Sequence, residues 1–219
     1  MVKIPNMKFA LLAIIWTIAQ VTAEPREFKQ LFNGKNLEGW EGIGGSPSNW
    51  KVEGGVLSCT GKAGSNWIAT KQEYSDFELR LEYQIPKDGN SGIFIRAPQK
   101  GTPWVHGIEV QLLDDYGEKW KSLKPNQFTG SIYAVVAPSV RATKKAGQWQ
   151  TVRIRCNGPK CDVWINKKHV VTANLDTLAT QYPRVPGLKQ KNGVIGLQNH
   201  SSPVHYRNIE IRSITKKKQ

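Results

Sequence analysis

Apolar and polar positions alternate with a period of two over most of this chain. Phe77, Leu79, Leu81, Tyr83 and Ile85 fall on one side of a run whose other side is Glu78, Arg80, Glu82 and Gln84. Strand side chains alternate faces, so the run predicts a strand with one buried face. Two further runs obey the same rule. Ile93 and Ile95 alternate with Phe94 and Arg96, and Ile108, Val110 and Leu112 alternate with Glu109 and Gln111. The connection over 97–107 is short enough for antiparallel neighbours. Arg96, Glu109 and Gln111 are then expected on one open sheet face, where a guanidinium, a carboxylate and an amide can hold a sugar, a metal ion or both.

Turn residues recur at the roughly 8–12-residue spacing of all-β folds. Glu53-Gly54-Gly55 predicts a hairpin within Trp50 to Cys59. Thr151 to Cys156 and Asp162 to Val171 predict a second, around Asn157-Gly158-Pro159-Lys160, with its own tight turn near Asn166-Lys167-Lys168. Val194 to Leu197 and Val204 to Ile214 are predicted as closing strands, and Leu175 to Gln181 as a short helix. The pattern indicates one antiparallel sandwich or barrel over 24–214, followed by a basic tail at 215–219.

The first 23 residues have a different character. Lys3 and Lys8 precede the apolar run Phe9 to Val21, and Val21-Thr22-Ala23 ends in a small residue. This is the pattern of a secretory signal peptide cleaved before Glu24. The run is shorter than the roughly 20 residues of a usual span, and no second long apolar run follows. A secreted or periplasmic protein with no membrane span after cleavage is expected. Export would put Cys59, Cys156 and Cys161 in an oxidising compartment. Cys156 and Cys161 flank the hairpin turn, and opposed hairpin positions can form a disulfide if they make a non-hydrogen-bonded pair; the spacing leaves bridge and free thiols both open. The three cysteines do not form a zinc motif.

The formal net charge is +14, of which the leader carries two lysines and no acid. The lysines are scattered except at Lys216-Lys217-Lys218. With export, that argues for solubility and weak adhesion to anionic surfaces, and against nucleic acid. Nothing in the sequence sets an oligomeric state. Trp104 and Trp120 sit in expected loops beside the Arg96 and Glu109 strands, where an indole can stack on a pyranose; most other tryptophans are expected to plug the core.

Several short segments in fixed order carry a resemblance over Phe28 to Ile214. They are Leu31-Phe32-Asn33-Gly34-Lys35-Asn36-Leu37-Glu38-Gly39-Trp40, Asn90-Ser91-Gly92-Ile93-Phe94-Ile95-Arg96, Gly107-Ile108-Glu109-Val110-Gln111-Leu112-Leu113-Asp114, Thr129-Gly130-Ser131-Ile132-Tyr133, Gly147-Gln148-Trp149-Gln150, Gly196-Leu197-Gln198-Asn199-His200 and Arg207-Asn208-Ile209. The chain resembles the 3-keto-disaccharide hydrolase family, once catalogued only as a domain of unknown function. The resemblance implies a concanavalin A-like, laminarinase-like jelly roll of two antiparallel sheets, and an oligosaccharide or glycoside substrate oxidised at C3. A C3 ketone acidifies the C2 proton. A base can then remove that proton, the glycosidic oxygen can leave from C1, and water can add to the enone. This route needs a base, an electrophile at the ketone and help for the leaving group.

Phase then gathers Arg96, Glu109, Gln111, Tyr133, Gln198 and His200 around one sheet surface. Glu109 and His200 are the leading candidates for general base or for ligands of a divalent metal ion. Gln111 and Gln198 are expected to bind substrate, Arg96 to bind hydroxyls or steady the enolate, and Trp104 to stack. Asp114 and His106, at strand ends, are second choices. Two other classes compete. A laminarinase-type endo-glycanase carries Glu-x-Asp-x-x-Glu, where this chain has Glu109-Val110-Gln111-Leu112-Leu113-Asp114. A non-catalytic glycan-binding module would share the fold.

Overall fold

The structure is a computed structural model that describes residues 27–62 and 67–214. The predicted leader and basic tail lie outside the described residues. In chain order the strands are β1 (Lys29–Gln30), β2 (Trp40–Ile43), β3 (Trp50–Glu53), β4 (Val56–Thr60), β5 (Trp67–Tyr74), β6 (Phe77–Gln84), β7 (Asn90–Ala97), β8 (Ile108–Leu113), β9 (Gln150–Asn157), β10 (Lys160–Ile165), β11 (Lys168–Asn174), β12 (Gly193–Leu197) and β13 (Pro203–Ser213). Two short helices join them, α1 (Pro103–His106) and α2 (Leu175–Gln181). Helix α2 spans the predicted residues, and its Asn174 cap accepts hydrogen bonds from the backbone of Asp176 and Thr177.

The strands form two antiparallel sheets, the sandwich that the alternation predicts. The larger runs β11-β10-β9-β6-β13-β4-β3, with β1 added to β13; the smaller runs β2-β5-β12-β7-β8. Their inner faces interlock. Leu79, Leu81, Tyr83, Val152, Ile154 and Ile211 come from the larger sheet, and Ile68, Ile93, Ile95, Val110, Leu112 and Ile195 from the smaller. The predicted hairpins are present, and Gly54 and Gly55 turn the first with φ of +56° and +79°, angles that glycine adopts without steric cost. Cys156 and Cys161 are register partners. Both are buried thiols, with sulfurs 3.7 Å apart. Among the described residues no helix is long and apolar enough to cross a membrane.

The outward faces of the two sheets differ. On the larger sheet the fully buried Glu78 is ringed by Arg153 (2.7 Å), Arg212 (2.8 Å) and Arg80 (3.3 Å). On the smaller sheet, Trp67, Ala69, Phe94, Ala97 and Val194 form a separate apolar cluster, and Glu109 and Gln111 lie on the same face.

Candidate functional site

The site begins with the pairing of β7 and β8. Their register sets Phe94 opposite Glu109 and Gly92 opposite Gln111, as the short connection predicts. Glu109 leans over Gly92, where an added Cβ would lie 2.4 Å from its Oε1. Glycine therefore makes room for the carboxylate. The segment after Phe128 then docks along the edge of β8. Gly130 N–H donates to Gln111 O (2.9 Å), Gln111 N–H to Ser131 O (3.2 Å) and Tyr133 N–H to Glu109 O (3.0 Å). This added edge places Tyr133 beside the acid, and its hydroxyl accepts from Gln127 Nε2 (3.0 Å). From the other side β12 ends at Leu197, and Gln198 follows with its backbone N–H on Gly92 O (2.9 Å).

These segments enclose a cavity of about 260 Å³, lined by Asn90, Trp104, Glu109, Gln111, Tyr133, Gln198 and His200. That volume suits a sugar ring. Glu109 is 6% exposed. Burial pushes its carboxyl up to about 8, and the hydrogen bond from Gln198 Nε2 (3.0 Å) pulls only weakly the other way. The Gln111 carboxamide lies between two neighbours. In one orientation its Nε2 donates to Asn90 Oδ1 (3.3 Å), and in the other to Glu109 Oε1 (3.3 Å) and Ser91 O (3.1 Å). Trp104, on α1, is 50% exposed at the wall, and His200 is exposed at the lip. A larger cavity of about 430 Å³ lies on the outward face of the other sheet, lined by Arg80, Glu82, Arg153, Trp164 and Glu210 among others. Three of its charged groups are already committed: Arg80 and Arg153 to Glu78, and Glu82 to Arg207. The smaller cavity, with its uncompensated acid, is the better candidate for chemistry.

Six of the predicted residues meet here: Glu109, Gln111, Tyr133, Gln198, His200 and Trp104. Three do not. Arg96 is 1% exposed and points away from the cavity. Its guanidinium donates to Ser75 O (2.7 Å), Gly158 O (3.0 Å) and Gln190 O (3.4 Å) and meets Asp76 Oδ1 (3.3 Å). The cause is a bulge. Gly196 pairs with Phe94 but Val194 pairs with Ala97, so β7 carries one extra residue there, and Arg96 takes φ +48°. The extra residue reverses the phase, and Arg96 becomes a clamp between chain segments. Asp114 also leaves the site. Its Oδ2 accepts from Asp88 N–H (2.9 Å) and its Oδ1 from Tyr116 N–H (3.3 Å), which organises the turn after β8. His106 is exposed on α1, with Nδ1 3.2 Å from Thr102 O, and does not line the cavity. Trp120 is likewise not in the lining. Asn90 lines the cavity but was not among the predicted residues. Its phase, shared with Gly92 and Phe94 on β7, could have found it.

The pair expected to bind metal, Glu109 and His200, shares this cavity. Among the described residues no three His, Cys, Asp or Glu side chains converge as a metal site. One carboxylate and one imidazole would hold a divalent ion only with amide oxygen, substrate and water completing its shell.

Known proteins agree with this architecture. A Bacteroides thetaiotaomicron protein named 3-keto-disaccharide hydrolase is 24% identical over 88% of this chain and 80% of its own length. A Parabacteroides distasonis protein, whose crystal structure carries a glycosyl hydrolase designation, superposes with a TM-score of 0.77. It is 26% identical over 86% of this chain and 94% of that one. A non-specific endo-β-1,3(4)-glucanase of family GH16 shares the fold alone, at 12% identity and a TM-score of 0.51 over 86% of this chain and 93% of that one. The profile of the 3-keto-alpha-glucoside-1,2-lyase-like domain matches residues 27–212. The chain, a jelly-roll sandwich in structure, thus belongs to the 3-keto-alpha-glucoside-1,2-lyase-like family.

Proposed function

We propose that the protein cleaves glycosides already oxidised at C3, by elimination followed by addition of water. Glu109 removes the C2 proton. The electron pair moves onto the C3 ketone oxygen as an enediolate. When that charge returns, the C1–oxygen bond breaks and the glycosidic oxygen leaves with a proton. Water then adds across the enone.

One observation carries this reading. Glu109 is the sole acid lining the cavity among the described residues, and it is buried without a cationic partner. A glycosidase of the ordinary kind needs two carboxyl groups flanking the scissile bond. Here the laminarinase position for a second acid holds Gln111, and Asp114 is spent in a turn. One buried base is sufficient for proton abstraction beside a ketone, where the substrate's own carbonyl takes up the charge. Gln198 Nε2 and Gln111 hold the carboxylate in place. His200, at the lip, is placed to deliver a proton to the departing oxygen. A divalent ion would polarise the ketone instead; its ligands would then be His200 and amide oxygen, with Glu109 left free as the base and the proton for the leaving oxygen drawn from solvent. Trp104 offers its exposed face to the departing group or to a second sugar ring. The leader-like first 23 residues support a periplasmic or secreted site of action.

Incubation with a 3-keto glucoside and with its unoxidised parent, with and without chelator, tests the reading. Aglycone release from the keto sugar alone, lost in Glu109→Gln, is the expected result. Binding of both without turnover would make the protein a glycan-binding module, and cleavage of the parent would make it a conventional glycosidase.

A further inference from the structure

Gln198 is held more firmly than a simple cavity-lining residue requires. Its backbone N–H donates to Gly92 O (2.9 Å), and its backbone carbonyl accepts from Ser91 Oγ (2.8 Å), which itself shares a hydrogen with Tyr206 OH (2.7 Å). Its Nε2 donates to Glu109 Oε1 (3.0 Å). As the base, Glu109 must be the carboxylate, which only accepts, so in the reactive state it orients the amide with nitrogen towards itself. The amide oxygen is thereby turned elsewhere. The residue is 8% exposed, and its Oε1 is buried with no hydrogen-bond partner in the protein. A buried acceptor left unsatisfied has given up its hydrogen bonds to water without replacement. In a site whose other contacts are built and rigid, such a group calls for a donor from the ligand.

We infer that Gln198 Oε1 accepts a hydrogen bond from the C2 hydroxyl of the substrate and makes that hydroxyl a condition of good binding. This rests on the elimination reading above and deepens it. Oxygen and nitrogen of one carboxamide are neighbours, so the free acceptor lies within roughly 5 Å of the carboxylate oxygen that would take the proton, one hydrogen bond plus one amide width. With Glu109 at the C2 proton, the carbons in reach are C2 and its ring neighbours C1 and C3. C1 bears the glycosidic oxygen and C3 the ketone, and neither carries a donor. The hydroxyl on C2 is the remaining donor. Gln198 makes and breaks no bond in the reaction; it determines specificity and positions Glu109.

The test compares a 3-keto glucoside with its 2-deoxy counterpart. Both retain an acidic C2 proton. Measure kcat/KM and, by calorimetry, Kd for each with the wild type and with Gln198→Met. The wild type is expected to prefer the 2-hydroxy sugar about tenfold or more, and the preference should fall to within about threefold in Gln198→Met. Loss of the amide's bond to Glu109 slows both substrates alike, and the hydroxyl's intrinsic effect on reactivity is common to both proteins, so the ratio isolates the contact. A variant preference as large as the wild type's, or none in the wild type, overturns the inference. If the wild type binds both sugars without turnover, the elimination reading fails and the Kd ratios decide the inference by the same criterion. If it binds neither, both fail. Gln198→Leu serves in the same comparison should the methionine variant not fold.

Discussion

Each sheet buries a glutamate on its outward face, and the two stand in opposite surroundings. Glu78, on β6 of the larger sheet, is 0% exposed and ringed by Arg153, Arg212 and Arg80. Burial alone would raise its carboxyl, but hydrogen bonds and charge from Arg212 and Arg153 outweigh burial and hold it below the ordinary carboxylate range. Glu109, on β8 of the smaller sheet, is comparably buried and has amides for neighbours, so burial prevails. The contrast separates structure from chemistry. A caged acid binds strands together: Arg212 faces Glu78 from β13, and Arg153 reaches it from β9. An acid buried without a counter-charge, beside a cavity, holds a proton tightly enough to keep and exchange it near neutral pH.

The contrast breaks most severely if Glu109 is replaced. Glu109→Gln should lower turnover of a 3-keto glucoside about 10³-fold, the scale of a lost general base, as aglycone release would show. The same variant should melt no lower than wild type, because a neutral amide suits that environment.

Next comes the pH dependence of stability, measured in chelator. Glu109 has a raised folded-state pKa, so its contribution is fully present below the ordinary value of 4.5 and is lost as pH rises towards about 8. That window amounts to roughly 2–5 kcal/mol, and denaturant midpoints of Glu109→Gln should not show it. Glu78 runs the other way. Its contribution is present above the ordinary pKa and disappears as pH falls through its depressed one.

Glu78→Gln should cost about 2 kcal/mol of stability, at the modest end for a buried pair because its arginines can reach water. Turnover should be nearly unaffected. A large catalytic loss with intact folding would mean that the two outward faces are coupled. Smallest is Trp104→Ala, with a rise in KM of a few-fold to tenfold, the worth of one stacked ring, and little change in kcat. No change in KM would place the departing group away from α1.

Much of this was legible along the chain. The period-two runs located β6, β7 and β8, and the register of β7 against β8 follows from their phase and short connection. Leu175 to Gln181 could be read as a helix because its cap residue and boundaries are local. The errors also have a local cause. Arg96 was assigned to the site by counting alternate residues, and one bulge with φ +48° reversed the count. Asp114 shares a strand neighbourhood with Glu109 but not its phase, and the turn beyond β8 took it. Outward phase at Glu78 was read correctly, yet the alternation held no sign that three arginines would close over it.

The sequence by itself determined which residues face in and which face out, because alternation is a property of each strand's own backbone. It thereby specified the sandwich and the identity of most cavity-lining side chains. Only the tertiary structure decided that Gln198, nearly 90 residues beyond Glu109, would set its amide against that carboxylate, and that Arg96 would not. It also decided how far water is excluded from each acid. Solvation and charge pairing depend on what long-range packing brings within a few ångströms, and the order of residues along one strand does not contain that information.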